Sequence, residues 1–407
     1  MPGYGSRYWE ERTADNRRRS YPKFKGRHTA DMVIIGGGLA GATAAYVLAS
    51  GGLNVMLLEA DRIASGSTAG GAGAILPEPA SLFRGVEAAV GRRDARAAWT
   101  ETQKAAVEFA AALKKLPVSS DVAASALVVN ATRPNDAAAL RKEQAARRAA
   151  GVVAPWANAA AVQSETGTES AGAIRLTGAS VFDPVRAALA LAGGADKAGA
   201  QLFEQSPVRR VKFTRKYADV VLAAGAIRTK GVYVATGEPG SLYSQLRRHV
   251  RMETAYAVVT EPLNAAMRRE SGRRTAVLSE SRDDRLLVRW LTEDRVLASG
   301  LASRPVGGRL RDKAVIQKTS ELMYQLSLRY PAISGLPARW AWDVPICTTQ
   351  DGLPWIGPHR NYPFHFFALA FGWHGDALAW LAARMALRQF RGENRSEDSA
   401  FGFVRHL

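Results

Sequence analysis

Asp31-Met32-Val33-Ile34-Ile35-Gly36-Gly37-Gly38-Leu39-Ala40-Gly41 is the stretch that decides the fold of this chain. Met32 to Ile35 is a short apolar run of the kind that forms a buried strand. Gly36, Gly38 and Gly41 follow at G-x-G-x-x-G spacing, and Ala42 to Ser50 reads as a helix rich in small apolar residues. A second strand, Asn54 to Glu59, ends in a carboxylate eighteen residues after Gly41. Strand, glycine turn, helix, strand and distal acid together make a complete βαβ dinucleotide fingerprint. Gly36 permits the tight turn, Gly38 lets the backbone approach a pyrophosphate, and Gly41 lets the helix lie close on the strand. The helix N-terminus presents N–H groups and a partial positive charge to phosphate. Glu59 is placed to accept hydrogen bonds from an adenosine ribose.

Composition bounds the rest. A chain of 407 residues is too long for one simple core, so two domains are expected. The single cysteine, Cys347, rules out an internal disulfide and a Cys-based zinc site, and fits a reducing compartment. The six histidines show no H-x-x-x-H pairing, so no metal is expected. The net charge of +18 is spread over short clusters such as Arg17-Arg18-Arg19 and Arg147-Arg148, without a nucleic-acid motif. It reads as solvated surface charge. No transmembrane span is expected, because the fingerprint accounts for the longest weakly polar stretch, Met32 to Ala49. Arg17 to Arg19 superficially resemble a twin-arginine signal, but the apolar segment that follows is the cofactor strand itself. The expected location is the cytoplasm.

Working outward, residues 1–29 form an arm whose aromatics (Tyr4, Tyr8, Trp9, Tyr21, Phe24) should pack on the body. The loop from Asp61 to Ile75 carries four glycines, which suits close approach to a ligand, although a flexible linker has a similar composition. Ser67 and Thr68 could bond a phosphate there. Residues 81–166 read as mainly helical, over Leu82 to Val90, Asp94 to Leu116, Pro134 to Ala150 and Ala159 to Thr166, with one short strand at Leu127 to Val129. A helix from Val185 to Gly199 and strands over 201–204, 208–213, 219–223 and 226–228 follow. The strand from Lys230 then ends at Thr236-Gly237, where an α/β sheet places a ligand. Alternation over 254–260, 285–291 and 295–300 suggests an antiparallel sheet, and Arg311 to Arg329 an amphipathic helix. Near the end, the strand Phe364 to Leu369 leads through Phe371-Gly372-Trp373-His374-Gly375-Asp376 into a helix from Ala377 to Phe390. The expected class is α/β (α+β overall). A Rossmann-like cofactor domain is assembled from 30–80, 167–240 and 341–407. A substrate or cap domain with a mixed or antiparallel sheet takes 81–166 and 241–340.

These motifs resemble the FAD-dependent amine and amino-acid oxidase family, the glycine oxidase, sarcosine oxidase and D-amino-acid oxidase group. The resemblance is carried by the fingerprint with Glu59-Ala60, the small-residue loop Gly66 to Gly73 and the strand Val232 to Gly237. It is carried also by Asp351-Gly352-Leu353-Pro354 with Ile356-Gly357, and by Gly372-Trp373-His374-Gly375. Tyr8-Trp9 with Thr13-Ala14, and Trp342 before Thr349, look closest to the γ-glutamylputrescine oxidoreductase branch. The resemblance implies FAD, hydride transfer from a carbon bearing nitrogen to flavin N5, and an imine that hydrolyses. Oxygen or another acceptor then takes the electrons. It implies that Gly36, Gly38, Gly41 and Glu59 hold the ADP half, with Ala60 and Arg62 beside them, and that Val208 meets adenine. Ser67, Thr68, Thr236 and Gly237 fall near phosphate and flavin. Gly352, Leu353, Gly372, Trp373, His374 and Gly375 fall near the flavin ring.

The departures matter too. Ser67-Thr68-Ala69-Gly70-Gly71 lacks the Arg and Asn often found in that branch. Val344, not Arg, precedes Pro345, so no bidentate carboxylate clamp is visible, which favours an amine over a free α-amino acid. Val344 also occupies the position of the flavin-linking Cys of sarcosine oxidases, so FAD is expected to be non-covalent. His374 and Trp373 are candidate catalytic residues, against structural roles in a turn or core. Arg289 and Tyr256 are candidate substrate contacts. Two other functions fit less of the chain. An NAD-dependent dehydrogenase would leave the Gly66 loop and the C-terminal turn without purpose. A basic binding protein on a vestigial Rossmann fold has no recognition motif. The sequence leaves the oligomeric state open.

Overall fold

The computed structural model describes residues 3–13, 18–79, 81–281, 286–373 and 375–405. Two sheets organise the chain. In the eight-stranded sheet, Gly26–Ile35 lies between Gly225–Gly237 and Val55–Leu58, parallel to both. Gln201–Phe203 extends the sheet in parallel beyond Val55–Leu58. Tyr362–Leu369 pairs in parallel with the other side of Gly225–Gly237, followed by antiparallel Trp355–His359. This central strand is apolar on both faces. Met32 and Ile34 join the core formed with helices, while Val33 and Ile35 join a second core under the hairpin Val208–Phe213 and Ala218–Leu222. Burial on both sides is why the run is continuous rather than alternating.

Helices Leu39–Ser50, Pro184–Lys197, Asp376–Phe390 and Arg92–Lys114 pack together over one face of this sheet. Their starts are specified locally. Asp183 caps its helix by accepting from the Arg186 N–H at 2.9 Å, ahead of Pro184 in the first turn. Asn158 does the same for Ala159–Thr166, which ends at Gly167 in the left-handed conformation.

The ten-stranded sheet runs Gly3–Tyr4, Ala338–Thr348, Arg251–Thr260, Val296–Ser303, Leu287–Trp290, Ala276–Glu280, Ala123–Ala131, Gly172–Val181 and Ala74–Ile75, with Trp156–Ala157 also pairing to Gly172–Val181. It is mixed, because Ala276–Glu280 runs parallel to Ala123–Ala131. Its outer face is covered by helix Arg309–Arg329 through Val315, Leu322 and Leu326.

Several elements depart from the sequence expectation. The strands expected over 226–228 and from Lys230 are one strand, Gly225–Gly237. The short strand at Leu127 extends to Ala123–Ala131. Residues 26–29, allotted to the arm, continue the fingerprint strand. Strand Gly172–Val181 and most of Ala338–Thr348, allotted to the cofactor domain, pair within the larger sheet. Of the aromatics expected to pack, Phe24 is buried and Tyr21 half-buried, whereas Tyr4 is exposed. Tyr8 and Trp9 are buried, and the Trp9 indole N–H donates to the Gly71 carbonyl at 2.8 Å. Among the described residues no helix is long and apolar enough to cross a membrane, and no group of three or more His, Cys, Asp or Glu is placed to hold a metal ion.

Candidate active site

The glycine turn leaves no room for side chains. Gly36 has φ +107°, and a Cβ there would lie 2.6 Å from the Ala235 carbonyl oxygen. A Cβ on Gly41 would lie 1.8 Å from the Gly36 carbonyl oxygen, so helix Leu39–Ser50 sits directly on the turn. A Cβ on Gly38 would meet Thr68 Oγ1 at 3.0 Å. That hydroxyl accepts from the Leu39 N–H at 2.8 Å and ties the loop after Glu59 to the helix start. Glu59 lies along the turn, accepting from the Gly37 N–H at 2.5 Å and from the Asp61 N–H at 2.8 Å.

From this cradle a cavity of about 450 Å³ extends between the sheets. Of the residues singled out in the sequence, it brings together Gly36, Gly38, Glu59, Ala60, Ser67, Thr68, Val208, Thr236, Gly237, Gly372, Trp373 and Gly375. Segments 35–72, 206–208, 235–238, 371–373 and 375–376 thus converge at the carboxyl ends of the parallel strands. The larger sheet contributes Met252, Ser299 and the run Val344 to Cys347. Loop 65–71 is held in place by three donors. Arg7 Nη1 reaches the Ser65 carbonyl at 2.7 Å, the Trp342 indole the Gly70 carbonyl at 3.0 Å, and the Trp9 indole the Gly71 carbonyl.

The lining has one sign of charge. Its formally charged described residues are Glu59, Glu238 and Asp376. Asp376 opens helix Asp376–Phe390, and burial pushes its carboxyl up to about 7, against the Ala74 N–H and the Arg289 charge, which pull it down. Burial, helped by Glu238, pushes the Cys347 thiol up to about 12. Sequence reasoning did not single out Asp376 or Glu238, although Asp376 stands inside the quoted glycine turn.

Other expected residues lie elsewhere. Tyr256 is not in the cavity lining. Strand alternation turns Ala255 toward Val344, Ile346 and Trp373, and Tyr256 into the core beside helix Arg309–Arg329, with its hydroxyl 3.1 Å from Ser303 Oγ. Arg289 is buried behind the cavity. Its Nη1 donates to the Ala72 and Phe182 carbonyls at 2.9 Å each and to the Gly73 carbonyl. Its guanidinium lies 5.4 Å from the Trp9 ring centre, and burial lowers its pKa to about 10. Arg289 is thus tied to the loop through Nη1, while its buried Nε has no partner among the described residues. Gly352 and Leu353 also stay outside the lining. Leu353 is core, and a Cβ on Gly352 would meet Ser81. Gly41 lies beneath the turn, and the Arg62 side chain is not part of the wall. His374 lies outside the described residues.

Comparison with known proteins gives the class. The family described as DAO, FAD dependent oxidoreductase, matches residues 31–389. The chain is 24% identical to the probable oxidoreductase OrdL of Haemophilus influenzae, over 96% of this chain and 88% of that one. In fold it is similar to glycine oxidase from Geobacillus kaustophilus, with TM-score 0.75 and 19% identity over 93% of this chain and 100% of the other. It is similar also to an L-amino acid deaminase from Proteus vulgaris, with TM-score 0.77 and 17% identity over 97% and 100%. The chain belongs to the DAO family of FAD-dependent oxidoreductases. Its glycine cradle, which any Cβ at Gly36 or Gly41 would fill, fits a dinucleotide pressed against backbone.

Proposed function

We propose that this FAD-dependent enzyme oxidises a C–N bond, removing hydride from the carbon that bears nitrogen in a small amine or amino acid. One observation carries the reading. A single cavity runs from the Gly36–Gly38 turn to a wall of Val344, Ile346, Phe371 and Trp373. One end suits the ADP half of the cofactor, and the other suits a flavin ring with a small substrate against it. Bound there, FAD supplies the hydride acceptor. Gly36 and Gly38 would receive the pyrophosphate, Glu59 the ribose and Val208 the adenine. Ser67 and Thr68 would lie near the phosphates and flavin.

The chain's own contribution is positioning. Trp9, Trp342 and Arg289 fix loop 65–73 through its carbonyls, which fixes one wall against which substrate is oriented. The aromatic and aliphatic wall excludes water from the reacting carbon. The glycine oxidase and L-amino acid deaminase similarities support a nitrogen-bearing substrate. The neutral, buried Cys347 thiol supports non-covalent attachment. In this reading the smaller sheet with its helices is the cofactor domain and the larger sheet the substrate domain. The reaction runs in a reducing compartment such as the cytoplasm, with oxygen or another acceptor taking the electrons.

An absorption spectrum of the purified protein, before and after acid precipitation, tests this. Flavin bands that pass into the supernatant, and that bleach when candidate amines are added without oxygen, are expected. Flavin retained in the pellet would refute non-covalent binding. A flavin that no amine or amino acid bleaches would refute the substrate class.

A further inference from the structure

Helix Arg309–Arg329 carries large apolar side chains on the side that faces away from the sheet it covers. We infer that this outer side, with the loop that leads into it, binds the surface of a membrane rich in anionic lipid, so that the enzyme works attached to a bilayer without crossing it. The inference is independent of which substrate the enzyme oxidises.

The helix has two apolar sides where packing needs one. Val315, Thr319, Leu322 and Leu326 recur at three- and four-residue spacing and are buried against the sheet. At about 100° per residue, Leu310, Tyr324 and Leu328 point the opposite way. They are 62%, 61% and 56% exposed. Ile316 on the flank and Val306 in the preceding loop are exposed too. Five of the twelve large hydrophobic side chains exposed among the described residues thus fall within 306–328. They lie along a helix about 30 Å long. Single exposed apolar residues are ordinary, whereas a strip of them marks an interaction surface.

The charges beside this strip say what covers it. Arg311 pairs with Asp343, Lys318 with Glu321 and Arg329 with Glu280. Arg304, Arg309 and Lys313 are exposed and form no ion pair among the described residues. Three of the first five helix residues, Arg309, Arg311 and Lys313, are cations, against one acid, Asp312. The macrodipole favours acids at that end, so the arrangement opposes helix stability until the helix start lies against an anionic surface. Long basic side chains lie along apolar surface while their charged ends reach headgroups. The net charge of +18 draws the whole chain toward an anionic leaflet in the same sense.

A second copy of this chain does not supply the missing charge. Antiparallel pairing of the two helices about a two-fold axis would set Arg304, Arg309 and Lys313 against the half that holds Tyr324, Leu328 and Arg329, where Glu321 is already bound to Lys318. Parallel pairing would set cation against cation. An anionic bilayer meets both features at once. Leu310 and Leu328 enter the boundary between headgroups and acyl chains, Tyr324 keeps its hydroxyl at the wet edge, and the cations meet lipid phosphates.

The test is flotation of the FAD-loaded protein with vesicles in a density gradient at physiological ionic strength. Wild type should rise with vesicles of equal parts phosphatidylglycerol and phosphatidylcholine, and stay down with phosphatidylcholine alone. Leu310→Gln, Tyr324→Gln and Leu328→Gln together leave the charge unchanged and suit a helix, and should weaken binding by roughly tenfold or more. Arg304→Gln, Arg309→Gln and Lys313→Gln together should weaken it by roughly a hundredfold. All six positions are exposed and outside the cavity lining, so flavin content should stay that of wild type. The wild-type comparison of the two lipid mixtures stands even if a variant does not fold. Wild type that ignores anionic vesicles, or undiminished flotation of the flavin-loaded protein carrying the three apolar-to-Gln substitutions, would overturn the inference. Equal flotation with both lipid mixtures would overturn the part played by charge. A wild-type dimer that ignores vesicles, and that the same three substitutions split into monomers, would assign the strip to a second copy instead.

Discussion

Arg405 Nε donates to Asp351 Oδ2 at 2.6 Å and Nη2 to Oδ1 at 3.1 Å, with both side chains buried. The same guanidinium lies 3.6 Å from the Trp355 ring centre, and its Nη1 donates to the Pro354 carbonyl at 2.8 Å. A residue at the far end of the chain therefore fastens the Asp351-Gly352-Leu353-Pro354 turn, which borders the smaller sheet.

Removing that cation should be severe. Arg405→Ala leaves a buried carboxylate uncompensated, and such a loss costs about 3–5 kcal/mol. Burial pushes the Asp351 carboxyl up, but the Arg405 bonds and charge, with Thr349 and the Leu353 N–H, outweigh it and hold it low. Its folded pKa lies below its unfolded one, so this stabilisation is present above about pH 4 and is lost as pH falls through the folded value. Urea unfolding of both proteins at neutral and acid pH should show a large gap that narrows in acid. A gap below about 1 kcal/mol at neutral pH would show that the pair contributes little.

Gly41→Ala tests the cradle. The added methyl would sit 1.8 Å from the Gly36 carbonyl oxygen, a backbone atom, so helix and turn must move apart. Purified Gly41→Ala should carry much less flavin than wild type, and added FAD should raise its melting temperature less. Gly52→Ala makes the contrast. That Cβ meets nothing within 4 Å, so its penalty arises from positive φ alone, and flavin content should hold. Equal flavin content in wild type and Gly41→Ala would mean that the turn adapts.

The turn end of the cavity was legible because its determinants are local. Glycine spacing, the apolar run before it and Glu59 after it all lie within one βαβ unit, and the cavity gathers Gly36, Gly38 and Glu59 as that spacing predicts. The opposite wall depends on register between distant strands. Tyr256 pairs opposite Asp343 and Gly300, and that register turns its ring away from the cavity; sequence alone does not fix which parity faces in. Ala338–Thr348 was hidden by Pro345 despite alternation at Trp340, Trp342, Val344 and Ile346. The missing N–H is tolerated because the neighbouring strand Gly3–Tyr4 pairs only with Trp340 and Ala341. Asp376 stood in the quoted turn, but its place in the cavity wall is a tertiary fact.

Cys347 should be inert. Burial and the nearby Glu238 raise its thiol to about 12, so at pH 8 only roughly one part in 10⁴ is thiolate, against a substantial fraction for an exposed cysteine. Native protein treated with a maleimide at pH 8 should show almost no mass increase by mass spectrometry. One equivalent should add once urea unfolds it. Rapid native labelling would require a more open cavity edge.

Asp376 makes the apoprotein sensitive to alkali in a way that a carboxylate held by a salt bridge would not. Its folded pKa, about 7, exceeds the unfolded value near 3.8, so the folded state binds this proton more tightly. Stability therefore falls as pH rises from about 4 to about 7, and the full penalty persists above that. The Ala74 N–H and the Arg289 charge oppose the shift without cancelling it. A shift of this size has a ceiling of about 4 kcal/mol, lowered by any water that shares the cavity. Asp376→Asn keeps the shape and cannot ionise. Flavin-stripped variant should melt above flavin-stripped wild type at pH 8, and the two should converge toward pH 4. A variant that is less stable than wild type at pH 8 would mean that the carboxylate is already paired in the folded protein.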